Sequence, residues 1–198
     1  MKIIKIENLI SKGHFSESEE YKDILYEVIT AIRSICWPTN SDGFTLYPEK
    51  NANGVVPIKR SCMISLSKNG WNLEQRMKIV SSLKPGKIDA IKRLSDNKYF
   101  ALEWETGNIS STHRALNKIA IGLIDGVLAG GILILPSREM YKWLTDRVGN
   151  YQEIEPYFPI WRNLPIKEGV LAIIVVEQDA TCEDVPKITK GTDGRALR

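Results

Sequence analysis

The sequence predicts an α/β fold, and three observations carry that prediction. Apolar residues recur at helical spacing over two long stretches, two short segments alternate in period two, and two others are continuous apolar runs. Helices that alternate with short strands in this way build a sheet covered by helices. The chain's 198 residues fit a single domain, long enough to bury a real core. A content of 43% hydrophobic and 26% charged residues is ordinary for a globular protein.

The elements follow in order. Over residues 18–35, Tyr21, Ile24, Leu25, Val28, Ile32 and Ile35 recur three and four apart. This is an amphipathic helix with Ser16 or Ser18 as its cap, and Pro38 stops it. Residues 39–54 are rich in Asn, Asp, Gly, Pro and Ser and read as a loop. Residues 74–83 are expected to be helical, closed by Pro85 and Gly86. Residues 87–91 and 99–105 alternate and predict two strands, with Ser95, Asp96 and Asn97 as hairpin-loop residues between them. Thr106, Gly107 and Asn108 break the second strand. A helix is predicted over 110–125, with Leu116, Ile119, Ala120, Leu123 and Val127 on one face and Asn108 or Ser110 as cap. Residues 130–135 and 169–176 read as buried strands, 137–148 as a helix and 152–163 as a further short one.

Net charge is +3, which decides nothing. Anion-binding cations and metal-binding carboxylates held in one site nearly cancel in such a sum. No apolar run reaches the roughly 18–20 residues that span a bilayer, and the N-terminus lacks the apolar core of a secretion signal. The expectation is a cytoplasmic protein without a membrane partner. Cys36, Cys62 and Cys182 are scattered and odd in number, as expected of reduced thiols. Neither His14 nor His113 sits in a ligand or nucleophile pattern.

The chemistry concentrates in three carboxylates. Glu103 and Glu105 are two apart on one predicted strand and so share a face. Asp89 approaches that face if the two strands pair. Exposed strand faces often carry glutamates with no function, and the spacing alone is a weak motif. Convergent carboxylates are costly unless a cation joins them. Oxygen ligands suit Mg²⁺, which keeps waters and substrate phosphates in its shell and can activate a water for in-line attack. Directly after Glu105, small polar residues and Arg114 open an amphipathic helix, whose free N–H groups favour phosphate as well as an ordinary cap.

Glu103-Trp-Glu-Thr-Gly-Asn-Ile-Ser-Ser-Thr-His-Arg114 resembles the catalytic strand and recognition helix of BamHI-type type II restriction endonucleases. Asn53-Gly-Val-Val-Pro-Ile-Lys59, Leu144-Thr-Asp-Arg-Val148, Glu155-Pro-Tyr-Phe158 and Lys190-Gly-Thr-Asp-Gly194 resemble further segments of that family, in the same order. The resemblance implies the PD-(D/E)xK fold, a central mixed sheet flanked by helices. It implies a homodimer that uses Mg²⁺ to cut both strands of a palindromic duplex, GGATCC, leaving 5′ overhangs. Asp89 and Glu103 would be metal ligands, with Glu74, in Trp71-x-x-Glu74, as a further member. Glu105 stands where most of the superfamily has lysine and would orient or deprotonate the attacking water.

The same resemblance makes Lys59 a phosphate contact. It makes Asn108, Ser110, Asp146 and Arg147 base-reading residues, with Arg114 contributing to DNA contact on the same helix, and arginine and aspartate suit the guanine and cytosine edges of the major groove. The segment 187–198 would be a mobile DNA-contacting tail, with Asp193 at the outermost pair and Lys190, Gly191, Gly194 and Arg195 close to the groove. Asp125 and Arg162 would pair across the dimer. Two other readings are a catalytically inactive sequence-specific DNA-binding protein and a metal-dependent phosphodiesterase acting on another nucleic acid. The intact carboxylates argue against the first, and Asp146, Arg147 and the tail against the second.

Overall fold

The computed structural model describes residues 1–77, 86–145 and 147–190. Its strands, in chain order, are β1 (Lys2–Lys12), β2 (Thr45–Leu46), β3 (Asn72–Arg76), β4 (Lys87–Arg93), β5 (Tyr99–Trp104), β6 (Leu128–Pro136), β7 (Gly169–Glu177) and β8 (Ala180–Thr181). Six of them form one mixed sheet in the order β1-β7-β6-β5-β4-β3, and β2 pairs with β8 apart from it. The central pairs β5–β6 and β6–β7 are parallel, and the flanking pairs are antiparallel. The helices are α1 (Glu19–Arg33), α2 (Val56–Lys68), α3 (Ile109–Ile124), α4 (Arg138–Tyr141), α5 (Tyr151–Ile154) and α6 (Phe158–Arg162). This is the mixed sheet flanked by helices that the resemblance implies.

The two continuous apolar runs became β6 and β7 because both of their faces are covered, as in other parallel sheets. Every residue of β6 is buried. One core layer packs α1 and α2 on the sheet through Ile24, Val28, Leu66, Phe100, Leu102 and Ile132. The other packs α3, α5 and α6 through Leu116, Ile119, Phe158, Trp161, Leu133 and Leu135. Gly131 permits the second layer, since a Cβ there would meet Ile119 Cγ2 at 2.5 Å. The caps are as the sequence predicts: Ser18 accepts from Tyr21 N, and Asn108 accepts from Ser110 N and Ser111 N.

Four segments depart from the sequence reading. The helix expected from Glu74 is, in its described part, the edge strand β3, whose backbone bonds go to β4; residues 78–83 lie outside the described residues. The helix expected over 137–148 stops after α4, because the chain bonds across to a loop instead. Leu144 forms a bridge with Asn53, and Thr145 N donates to Asn53 O at 2.8 Å. The 152–163 helix is divided into α5, a 3-10 turn at Glu155–Tyr157 and α6, with prolines opening the last two pieces. Strand β1 is an addition to the sequence reading: it pairs with β7, with register shifts at Ile3/Lys5 and Asn8/Ile10.

Phe100 is fully buried and touches the rings of Phe15, Tyr21 and Trp71. Phe100→Ala is expected to lower unfolding free energy by about 3–5 kcal/mol. Tyr26, 72% exposed, should tolerate alanine within about 0.5 kcal/mol. Urea unfolding of both variants checks the contrast.

Candidate active site

The β4–β5 ladder runs from Arg93 and Tyr99 to Ala90 and Leu102. Past Leu102 a side chain takes over: Asp89 Oδ2 accepts the Trp104 N–H at 2.8 Å. The strands part there, and a cleft of about 220 Å³ opens between the sheet and α3. Asp89, Glu103 and Glu105 line it, with Ser111, Arg114 and Lys118 from α3 on the opposite wall. The three carboxylates thus line one cleft at the point where the strands diverge.

Each carboxylate is held differently. Asp89 Oδ1 is bound by the Lys59 ammonium of α2, which also reaches Glu74 Oε1 at 3.4 Å. Burial opposes the charge on Lys59, but Asp89 and Glu74 outweigh it and hold the lysine above its ordinary range. Glu103 is 7% exposed and forms an ion pair with Lys118. Burial pushes Glu103 up to about 7, with the Asp89 charge adding to the effect and Lys118 opposing it. Its Oε1 is buried, with the Lys118 ammonium directly against it. Glu105 is also raised by burial, against hydrogen bonds from Thr112, Gly107 N and Thr106 N.

Glu74 sits at the mouth, on β3 rather than on a helix, at φ +53 and paired with Lys87 as well as Lys59. It lines a second pocket with Lys59, Asp89 and Thr106. Asn108 and Ser110 are exposed at the start of α3, so Asn108 caps the helix while remaining open to solvent. Arg114 is exposed on the same helix and donates to Ser111 Oγ at 2.9 Å. Arg147 is exposed and left-handed, at φ +68. Among the described residues, no group of three His, Cys, Asp or Glu side chains forms a ready metal cage.

Asp146, Gly191, Asp193, Gly194 and Arg195 lie outside the described residues. Lys190 is half-buried beside Gly54, and Ile188 is 2% exposed, bonded to Asn53 and Gly54. Residues 187–190 are thus tied down, so the expectation of a mobile tail now concerns only residues 191–198. Asp125 is the exposed C-cap of α3. Arg162 is held within its own chain by Glu7 at 2.6 Å, so a cross-dimer pair would have to compete with that contact. His113 packs against Tyr157 and Trp161, a structural role.

Sequence reading missed Lys118 and Thr112. Lys118 is one turn beyond Arg114, so spacing alone put it on the cleft face. Thr112 is a hydroxyl inside the apolar stripe of α3, an oddity that could have drawn notice.

The chain as a whole is also similar to known proteins. The family described as Restriction endonuclease BamHI matches residues 1–195. Type II restriction enzyme OkrAI of Oceanobacter kriegii is 49% identical over 198 residues, covering 100% of both chains. Type II restriction enzyme BamHI of Bacillus amyloliquefaciens is 40% identical over 195 residues, 95% of this chain and 89% of that one. A crystal structure of restriction endonuclease BglII complexed with a DNA 16-mer superposes with a TM-score of 0.67 at 12% identity, over 96% of this chain and 90% of that one. That last likeness concerns the fold alone. With sequence similarity along nearly its whole length and carboxylates gathered where its strands part, the chain belongs to the BamHI family of restriction endonucleases.

Proposed function

We propose that this type II site-specific deoxyribonuclease acts in the cytoplasm as a Mg²⁺-dependent homodimer. It cuts both strands of the palindrome GGATCC and leaves 5′ overhangs. The observation that carries the reading is one cleft with Asp89, Glu103 and Glu105 on the sheet side and Arg114 and Lys118 on the helix side. A phosphodiester needs both: carboxylates for the metal and water, cations for the phosphate.

The residues fit a divalent cation. The donors are oxygens only, and the buried Glu103 oxygen faces a lysine ammonium, so the position already favours a cation. Lysines already stand where positive charge is demanded. Asp89 and Glu103 would hold Mg²⁺, with Glu74 at the edge through the lysine it shares with Asp89. Bound there, Mg²⁺ supplies charge stabilisation on the scissile phosphate. Glu105, anchored at both oxygens, orients the attacking water and accepts its proton. Lys59 and Arg114 face the phosphate backbone, and the electropositive start of α3 adds to that field. Asn108, Ser110, Asp146 and Arg147 read base edges, and Lys190, Gly191, Asp193, Gly194 and Arg195 follow the groove.

A palindrome cut on both strands calls for two-fold symmetry, with one site per strand. Ile124, Tyr157 and Ile160 are exposed at 57%, 45% and 59% on α3 and the segment beside it, and this apolar surface supports a dimer face there. Asp125 and Arg162 flank it as candidate partners.

Digestion of a plasmid of known sequence, with mapped ends, tests the activity. Cleavage is expected with Mg²⁺ and none with EDTA; binding without cleavage would favour an inactive DNA-binding protein, and cutting of RNA alone another phosphodiesterase. Asp89→Ala, Glu103→Ala and Glu105→Ala should each nearly abolish cleavage while the duplex still binds, and wild-type turnover in any of them refutes that assignment. Arg147→Ala should cost about 1–3 kcal/mol at one base pair. Lys59→Ala should weaken all sequences alike and shallow the salt dependence; competition binding across single-base variants separates the two. Sedimentation at micromolar concentration should give a dimer, and a monomer there removes the two-fold model.

A further inference from the structure

We propose that Thr112 positions the Glu105 carboxylate for cleavage, and that Gly149 keeps open the space its hydroxyl occupies. The inference rests on the proposed role of Glu105 and adds the residues that fix its orientation.

Thr112 is fully buried in the second turn of α3, on the apolar stripe with Leu116 and Ile119. A hydroxyl buried there without a partner would be costly. Helical threonines commonly bond the carbonyl one turn back, but this Oγ1 donates to Glu105 Oε2 instead. The other carboxylate oxygen, Oε1, accepts the Gly107 N–H at 2.6 Å. Backbone N–H groups from the turn after β5 and a hydroxyl from α3 thus fix the plane of a carboxylate that is 4% exposed.

Gly149 completes the clamp. Its N–H donates to Gly107 O at 2.8 Å, so it braces the same turn. A Cβ at this position would collide with Thr112 Oγ1 and lie 3.4 Å from Glu105 Cγ. Glycine is required by the hydroxyl beside it. Residue 149 is two beyond Arg147, and Thr112 is two beyond Ser110, so both base-reading segments end on this one carboxylate.

The test is single-turnover cleavage of a GGATCC duplex in saturating Mg²⁺, with binding of the same duplex measured without metal. Thr112→Val should slow cleavage by about 10–100-fold, with affinity changed less than about threefold. Thr112→Ser, which restores the donor, should recover most of the rate. Gly149→Ala should slow the chain that carries Thr112 and have little further effect on Thr112→Ala, because the colliding atom is gone. If valine at 112 unfolds the chain, the serine variant and the Gly149 pair still decide. A wild-type rate in folded Thr112→Val, equal loss in the serine and valine variants, or the same Gly149→Ala loss in both backgrounds overturns the inference. Glu105→Ala run alongside separates the two levels. If Glu105→Ala is inactive while Thr112→Val is fully active, only the positioning role falls; if Glu105→Ala is active, the role of Glu105 falls with it.

Discussion

The organisation of this molecule follows from acidic side chains carried to the end of a buried strand. Strand β5 lies between β4 and β6, and its residues from Phe100 to Trp104 are buried. Glu103 and the adjoining Glu105 are consequently taken out of water by the packing that stabilises the sheet. A desolvated carboxylate must be matched by a cation or by donors, or it loses its charge. The matching groups come from outside the strand. Lysines arrive from α2 and α3, and N–H and hydroxyl donors arrive from the next turn and the first turns of α3. The acid cluster therefore fixes the position of three neighbouring segments.

Helix α3 meets two demands with one amphipathic sequence. Its apolar stripe, with Leu116, Ile119 and Leu123, closes one core layer, and Ser111, Arg114 and Lys118 form a wall of the cleft. Both faces depend on how closely the helix approaches β6. Gly131 sets that distance, since any side chain there would drive Ile119 outward and take the cationic wall with it. Packing and electrostatics are coupled here through the close approach of Gly131 and Ile119.

A second junction lies at Asn53, which is fully buried. Its amide donates to Tyr47 O and Trp143 O, each at 2.9 Å, and accepts from Ile188 N at 3.2 Å. Three loops distant in sequence meet on one side chain. The loop leads into α2 and Lys59, the segment after Trp143 leads to Arg147, and the last leads toward the C-terminal residues. A fully satisfied buried amide of this kind rigidifies its surroundings, so Lys59 and Arg147, proposed to contact phosphate and base edges, are held on a common frame.

The sequence by itself determined the elements whose cause is local. The α1 and α3 periodicities, their Ser18 and Asn108 caps, the β4–β5 pair and the two apolar central strands follow from side-chain spacing and turn chemistry that act within a dozen residues. The ordered motifs also identified the family, and alternation placed Glu103 and Glu105 on one face. Only the tertiary structure decided where chains distant in sequence met. Residues 72–76 are a strand because β4 offers them partners, and the segment after Tyr141 leaves the helix because Trp143 O accepts from Asn53 and Thr145 N donates to Asn53 O. Lys118, Thr112 and Gly149 joined the acidic cluster for the same reason. Their own sequence neighbourhoods ask for an ordinary helix and loop, whereas an unmatched buried charge, which exists only once the sheet has formed, selects the groups that surround it.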